Sequence, residues 1–170
     1  MRRSVPVDSS IIGKPTGAWH VTVERAPVTA FAHAVCDDNP VYRDARVAHD
    51  AGFDGIPAPP TFTFAMGFWG SFAEHQPDDP TGGVNPMHGV MGALHAQGAL
   101  VLHGEQEFTY HRTVQVGDVL RGEGKVMDIY EKDTDAATMT FIVIRTEWTD
   151  AASGAPVVTE QFNLIARLRK

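Results

Sequence analysis

The stretch GFDGIPAPPTFTFAMGFWGSFAE, residues 52–74, holds the longest apolar segment of the chain, and its reading decides the fold. Pro59 and Pro60 suit a helix entrance, because proline presets the first-turn dihedral and its missing N–H would be unpaired there anyway. They place a helix start near residue 60. Beyond it, Phe62, Phe64, Ala65, Met66, Phe68, Trp69 and Phe72 cover the whole circumference of a helix rather than one stripe, which predicts burial on nearly every side. The run is shorter than the roughly 20 apolar residues that cross a bilayer. Protein must therefore surround it, and a curved sheet is the obvious wrapping. Gly67 and Gly70 would each cost roughly 1 kcal/mol of helix propensity relative to Ala, so they predict the close approach of another backbone.

Upstream, residues 1–17 read as an extended arm without periodicity. Residues 19–23 (WHVTV) alternate as a strand. Residues 24–35 read as a short helix, with Pro27 in the first turn and Val28, Phe31, Ala32 and Val35 along one side. The polar turn CDDNPVYRD, residues 36–44, ends it at Asn39-Pro40, since the residue before proline disfavours the α region. This turn gathers carboxylates and Tyr42 where a loop can present them.

Downstream, residues 76–102 form a long connection, Gly- and Pro-rich at first, of the kind that serves as a lid, a partner contact or a mobile insertion. His88 and His95 lie within it seven residues apart with no accompanying thiol or carboxylate pattern, so no metal site is expected. Period two then takes over. Residues 103–112, 119–130, 138–149 and 157–168 read as four strands rich in β-branched and aromatic residues, joined by turns at residues 116–118, 132–135 and 150–154. The whole chain, residues 1–170, is expected to be one α+β domain: a five-stranded antiparallel sheet wrapped around a long central helix, the hotdog arrangement.

The composition agrees. A chain of 170 residues with 43% apolar content can bury one core. A formal charge of −7 without a block of like charge argues against a nucleic-acid partner. A single cysteine, Cys36, excludes an internal disulfide, and nothing local marks it as reactive, so it is expected to pack. No signal-peptide pattern or membrane span is apparent, and the expected location is the cytoplasm.

Three strings, AVCDDNPVYRD, GFDGIPAPPTF and LHGEQEFTYHRTVQVGDVL, occur in this order over residues 34–120. In that order and spacing they resemble the MaoC-like hydratase/dehydratase family, in its dehydratase N-terminal-domain branch, across nearly the whole chain. The chain is similar to the non-catalytic halves of two-domain (R)-specific enoyl-CoA hydratases and to small subunits of (3R)-hydroxyacyl-ACP dehydratases. The resemblance implies acyl thioesters of CoA or acyl carrier protein as ligands, addition or removal of water at the α,β-bond, no cofactor, and a homodimer or a heterodimer with a catalytic hotdog subunit.

Such chemistry asks for an activated water over the β-carbon, proton exchange at the α-carbon, and stabilisation of the charge on the thioester oxygen. In catalytic relatives an Asp and a His five residues apart meet the first two needs, and helix N-terminal amides meet the third. Here the Asp position falls on Asp37, the Asn-Pro on Asn39-Pro40, and the His position on Tyr42. A phenol is a poor base at neutral pH, yet it can donate a hydrogen bond. Pro60, Thr61 and Phe62 open the helix, with the Thr61 and Phe62 amides as the candidate donors and Phe62 and Phe64 as apolar walls. His103 and Gln106, in HGEQ, are candidate lining for the acyl or pantetheine path.

Blander roles stand beside each of these. Asp37 or Asp38 can simply satisfy turn amides, Tyr42 can be a hydrogen-bonded wall, and His103, Glu105 and Gln106 can be structural. Three functions remain open at this point: a hydratase/dehydratase or a subunit of one, a non-catalytic module holding an acyl chain or a partner, and a thioesterase using Asp37 or Glu74.

Overall fold

The computed structural model describes residues 8–170, so the first seven residues of the expected arm lie outside the described residues. The remainder of that arm forms a 3-10 turn at Ser9–Ile11 and runs directly into the first strand. The strands are β1 (Pro15–Thr22), β2 (Leu100–Tyr110), β3 (Val119–Asp133), β4 (Ala137–Asp150) and β5 (Pro156–Arg169). The helices are α1 (Arg25–Ala34), α2 (Ala45–Asp50), α3 (Phe62–Met66) and α4 (Pro86–Ala96). All five strands join one antiparallel sheet in the order β1-β3-β4-β5-β2, the hotdog sheet expected from the sequence.

Alternation gives the sheet one face for the core. In β3 the positions Leu120, Gly122, Gly124 and Val126 are buried while their neighbours Arg121, Glu123 and Lys125 are exposed. The two glycines make room for indoles. A Cβ at Gly122 would run into the Trp148 ring and one at Gly124 would run into the Thr16 hydroxyl and crowd Trp19, and these two rings lie 6.1 Å apart. Trp19 pairs with Gly122, which pairs in turn with Trp148.

Two apolar clusters line the sheet. Val28 of α1 and Phe62 and Met66 of α3 pack with Val21, Leu120, Trp148 and Val158. Val90 and Leu94 of α4 pack with Val126, Ile142 and Ala166. Burial of each such side chain contributes about 1.5–3 kcal/mol. α1 ends at Ala34, Val35 caps it, and Cys36 follows in the left-handed region at φ 59°. Cys36 is exposed there, not packed as expected.

The helix expected from residue 60 onward corresponds to the single short α3 of five residues. Phe62 and Met66, four apart, are buried, but Phe64 is 40% exposed and Phe68 84% exposed, so burial is one-sided. The two glycines that the sequence flagged account for the early stop. Gly67 closes the helix in open space, whereas Gly70 has the predicted close backbone neighbour: at φ 74° it sits where a Cβ would collide with the Thr22 carbonyl. The chain then leaves helical geometry and follows β1. The long connection, residues 76–102, likewise differs from expectation. Asn85 and Pro86 start α4 there, the Asn85 side chain accepting the Met87 N–H at 3.0 Å, and β2 begins at Leu100. With Val90 and Leu94 buried, α4 is part of the core. No helix among the described residues is long and apolar enough to cross a membrane.

Candidate functional site

The loop after α1 and the segment before α3 meet at a cleft of about 380 Å³, whose walls include Asn39, Tyr42, Phe53, Pro60, Tyr110 and Val114. Local hydrogen bonds fix the loop. The Asp37 N–H donates to the Ala32 carbonyl at 2.9 Å, the Asp37 carboxylate accepts the Asn39 N–H at 3.1 Å, and the Asn39 side chain accepts the Val41 N–H at 3.2 Å. Asp37 thus satisfies a turn amide. The pattern is an Asx turn feeding a 3-10 turn at Pro40–Tyr42, and it follows from the sequence Asp-Asp-Asn-Pro. The Thr29 hydroxyl donates to the Tyr42 carbonyl at 3.2 Å and the Arg25 guanidinium to the Arg43 carbonyl at 2.6 Å, which clamps the loop onto α1. The Arg43 guanidinium donates to the Asp38 carbonyl and lies 3.7 Å from its carboxylate.

Asp37 and Tyr42 are neighbours. Desolvation raises the Tyr42 phenol above its ordinary pKa, and the charge of Asp37 and its pull on the phenolic proton add to the effect. Tyr42 therefore keeps its proton at neutral pH. It is a hydrogen-bond donor on the cleft wall.

Across the cleft, Thr61 adopts a left-handed backbone at φ 69°, a conformation that β-branched residues rarely take. Its N–H is not free: it donates to the Tyr110 phenol oxygen at 3.0 Å. The Phe62 N–H donates to the Pro59 carbonyl at 3.1 Å. Both amides that the sequence suggested for a thioester oxygen are engaged within the chain. Pro60 lines the cleft, whereas Phe62 is 1% exposed and packs in the core against Phe31 and Trp69, at 5.5 and 6.3 Å between ring centroids.

His103 and Gln106 lie elsewhere. Tyr110 at the end of β2 reaches the cleft, whereas His103 is seven residues away, roughly 20 Å along the strand, and Gln106, past the middle of β2, is four residues away, roughly 13 Å. The His103 ring packs 4.5 Å from Phe162 and 5.5 Å from Phe64. Gln106 buries its amide nitrogen without a partner. Phe64 thus walls the His103 region and not the cleft.

Two further residues belong to this part of the molecule. Tyr110 supplies the phenol just described, and partial burial raises its pKa, the Thr61 N–H opposing and the Glu160 charge adding. Glu160, 5% exposed on β5, is pushed up to about 7 by desolvation, with the Thr63 hydroxyl and Trp148 indole beside it pulling the other way. None of the three reaches hydrogen-bonding geometry: Thr63 Oγ1, Trp148 Nε1 and Glu160 Oε1 are buried without partners. Both residues carried a signal in the sequence, because Phe108 and Tyr110, and likewise Val158, Glu160 and Phe162, alternate onto one face. Among the described residues, no three His, Cys, Asp or Glu side chains converge as a metal site would require.

Residues 10–160 match the family described as FAS1-like, dehydratase domain region. A UPF0336 protein from Saccharopolyspora erythraea is 34% identical over 168 residues, covering 96% of this chain and 93% of the relative. The fold is shared with the ChsH1-ChsH2 complex from Mycobacterium tuberculosis, at a TM-score of 0.68, 24% identity, 89% of this chain and 83% of that one. It is shared also with the HadBC (3R-hydroxyacyl-ACP dehydratase) complex from the same organism, at 0.62, 22% identity, 91% of this chain and 96% of that one. The motifs, the sheet and these likenesses agree that the chain belongs to the FAS1-like dehydratase-region family, the hydratase/dehydratase group that its three motifs resemble.

Proposed function

We propose that the chain is the substrate-holding subunit of an (R)-specific acyl-thioester hydratase/dehydratase, and that a partner of the same fold supplies the catalytic Asp and His pair. One observation carries this reading. Tyr42 stands where catalytic relatives place the histidine, and its environment holds the phenol in the protonated form. Adding water to an enoyl thioester forms a C–O bond at the β-carbon and a C–H bond at the α-carbon, and a group near neutral pKa must move the proton between them. Tyr42 meets only the lesser need. It orients an oxygen by donating a hydrogen bond, with Asp37 holding the loop.

The engaged Thr61 amide favours the same division of labour, since a thioester oxygen would have to displace Tyr110 to reach it. The cleft between Tyr42, Pro60, Phe53 and Val114 takes the acyl thioester of CoA or carrier protein, its walls mostly apolar with a few polar groups. Support for a partner comes from β2, an edge strand whose Leu100, Val101 and Leu102 are all exposed, which suits strand-to-strand pairing with a second sheet. The two complexes that share the fold support it as well.

The test is to mix the pure chain with a candidate catalytic subunit and follow enoyl absorbance with crotonyl-CoA and with a longer enoyl-CoA. The expected outcome is a stable complex whose turnover exceeds that of either chain alone. Equal turnover with and without the chain would overturn the proposal.

A further inference from the structure

A five-stranded sheet has two edges, and each presents unpaired N–H and C=O groups to any other strand. In this chain the two are treated differently. Along β1, alternation turns Thr16, Ala18, His20 and Thr22 away from β3, toward solvent. The segment from Gly70 to Asn85 takes four of these groups, at three of the four residues. The Thr22 N–H donates to the Gly70 carbonyl at 3.1 Å. The Gln76 side chain imitates a strand residue, accepting the His20 N–H at 2.9 Å and donating to the His20 carbonyl at 2.9 Å. The Asn85 amide donates to the Thr16 carbonyl at 2.8 Å.

Each contact is anchored from behind. Gln76 also donates to the Phe72 carbonyl at 3.0 Å, and Asn85 caps α4, which packs in the core. Gly70 has φ 74° and no Cβ, and any side chain there would collide with the Thr22 carbonyl, so the approach to β1 demands this glycine. Ala18 has neither group taken and lines a cleft of about 560 Å³ together with Pro77, Asp78 and Pro80. One residue is too short a template for a strand, and prolines without N–H groups and a carboxylate are poor partners for one.

We propose that residues 70–85 form a built-in seal on the β1 edge, which confines strand pairing to β2 and makes any assembly of these sheets close at two. Two open edges on one sheet would permit head-to-tail pairing without limit, whereas one open edge permits a single closed pair. The partner that fits is therefore a sheet that also offers a single edge. The inference relies on the functional reading above only for which edge stays open.

The test uses the full chain carrying Gln76→Ala, and separately Asn85→Ser, which keeps a side chain able to cap α4 but too short to reach Thr16. Hydrogen exchange reads the His20 amide and sedimentation velocity reads size across a concentration range. In Gln76→Ala we expect faster His20 exchange, and in both variants species larger than the wild type that grow with concentration. Folded variants that keep the wild-type size, or a His20 amide still protected in Gln76→Ala, would overturn the seal. A wild-type chain that never pairs would count instead against β2 as the open edge, and the variants would still be expected to grow through β1.

Discussion

The Tyr110 phenol oxygen accepts the Thr61 N–H at 3.0 Å, and this bond ties the end of an edge strand to the strained turn that opens α3. It holds Thr61 at φ 69° and occupies the amide that would otherwise face the cleft. Tyr110→Phe should therefore cost about 1 kcal/mol of stability, as lost hydrogen bonds typically do, while thioester affinity rises because the amide is released. Urea titration and calorimetry with an acyl-CoA read the two effects. Unchanged stability would mean that the bond does not hold the turn.

Glu160 makes stability depend on pH. Its carboxyl is held at about 7 in the folded chain, against an ordinary 4.5. Below 4.5 the group is neutral in both states and burial is tolerated. Between 4.5 and 7 the unfolded chain loses the proton that the folded chain retains, so stability falls as pH rises through that window. At about 1.4 kcal/mol for each pH unit the fall amounts to roughly 3 kcal/mol and levels off above it. Glu160→Gln should remove this slope, measured by denaturant titrations from pH 4.5 to pH 8. A slope unchanged in the variant would show that another group is responsible.

Gly122→Ala tests the packing of the indoles. A methyl group there would lie 2.6 Å from the Trp148 ring, which is buried and cannot swing away. Overpacking of this kind costs about 1–3 kcal/mol. The expected result is a lower denaturation midpoint with an altered near-ultraviolet circular dichroism from the Trp19 and Trp148 pair.

Arg112 joins two turns. It donates to the Asp118 carboxylate at 2.7 Å and to Asp150 at 3.4 Å, and Asp118 also accepts the Gln115 N–H at 2.9 Å. Because the Asp118 side chain is only 11% exposed, Arg112→Ala leaves a nearly buried carboxylate short of its partner. We expect a loss of about 1–3 kcal/mol, larger than for an exposed ion pair. Arg121→Ala, at the exposed pair with Glu123, should change stability little under the same titration.

The strands were legible because a residue that must face either core or water announces its side by alternation, as residues 119–126 of β3 do, and because β4 and β5 are rich in β-branched and aromatic residues. The helices were less so. An apolar run such as residues 62–73 cannot distinguish a buried helix from a short helix followed by a segment laid along a strand edge, and the deciding feature is the backbone clash at Gly70, a long-range contact. α4 escaped notice because Gly89 and Gly92 interrupt its apolar face, although Asn85-Pro86 is a good start signal. Asp37, Asn39, Tyr42 and Pro60 were named from the order of the motifs; Asn39, Tyr42 and Pro60 line one cleft, and Asp37 lies beside Tyr42 and Asn39. His103 and Gln106 were drawn in only by their neighbourhood in sequence. Tyr110 and Glu160 were visible as polar groups in the alternation of β2 and β5, but the residues beside them, Thr61 before α3 and Thr63 within it, come from a distant part of the chain.

The most direct measurement of the central claim is turnover of crotonyl-CoA by the isolated, unmodified chain beside its Asp37→Asn and Tyr42→Phe variants. A substrate-holding subunit predicts little or no hydration by any of the three, since the loss of a well-placed base costs 10²- to 10⁴-fold in rate, with activity appearing once a catalytic partner is added. Robust turnover by the chain alone, abolished in Asp37→Asn and retained in Tyr42→Phe, would contradict the account.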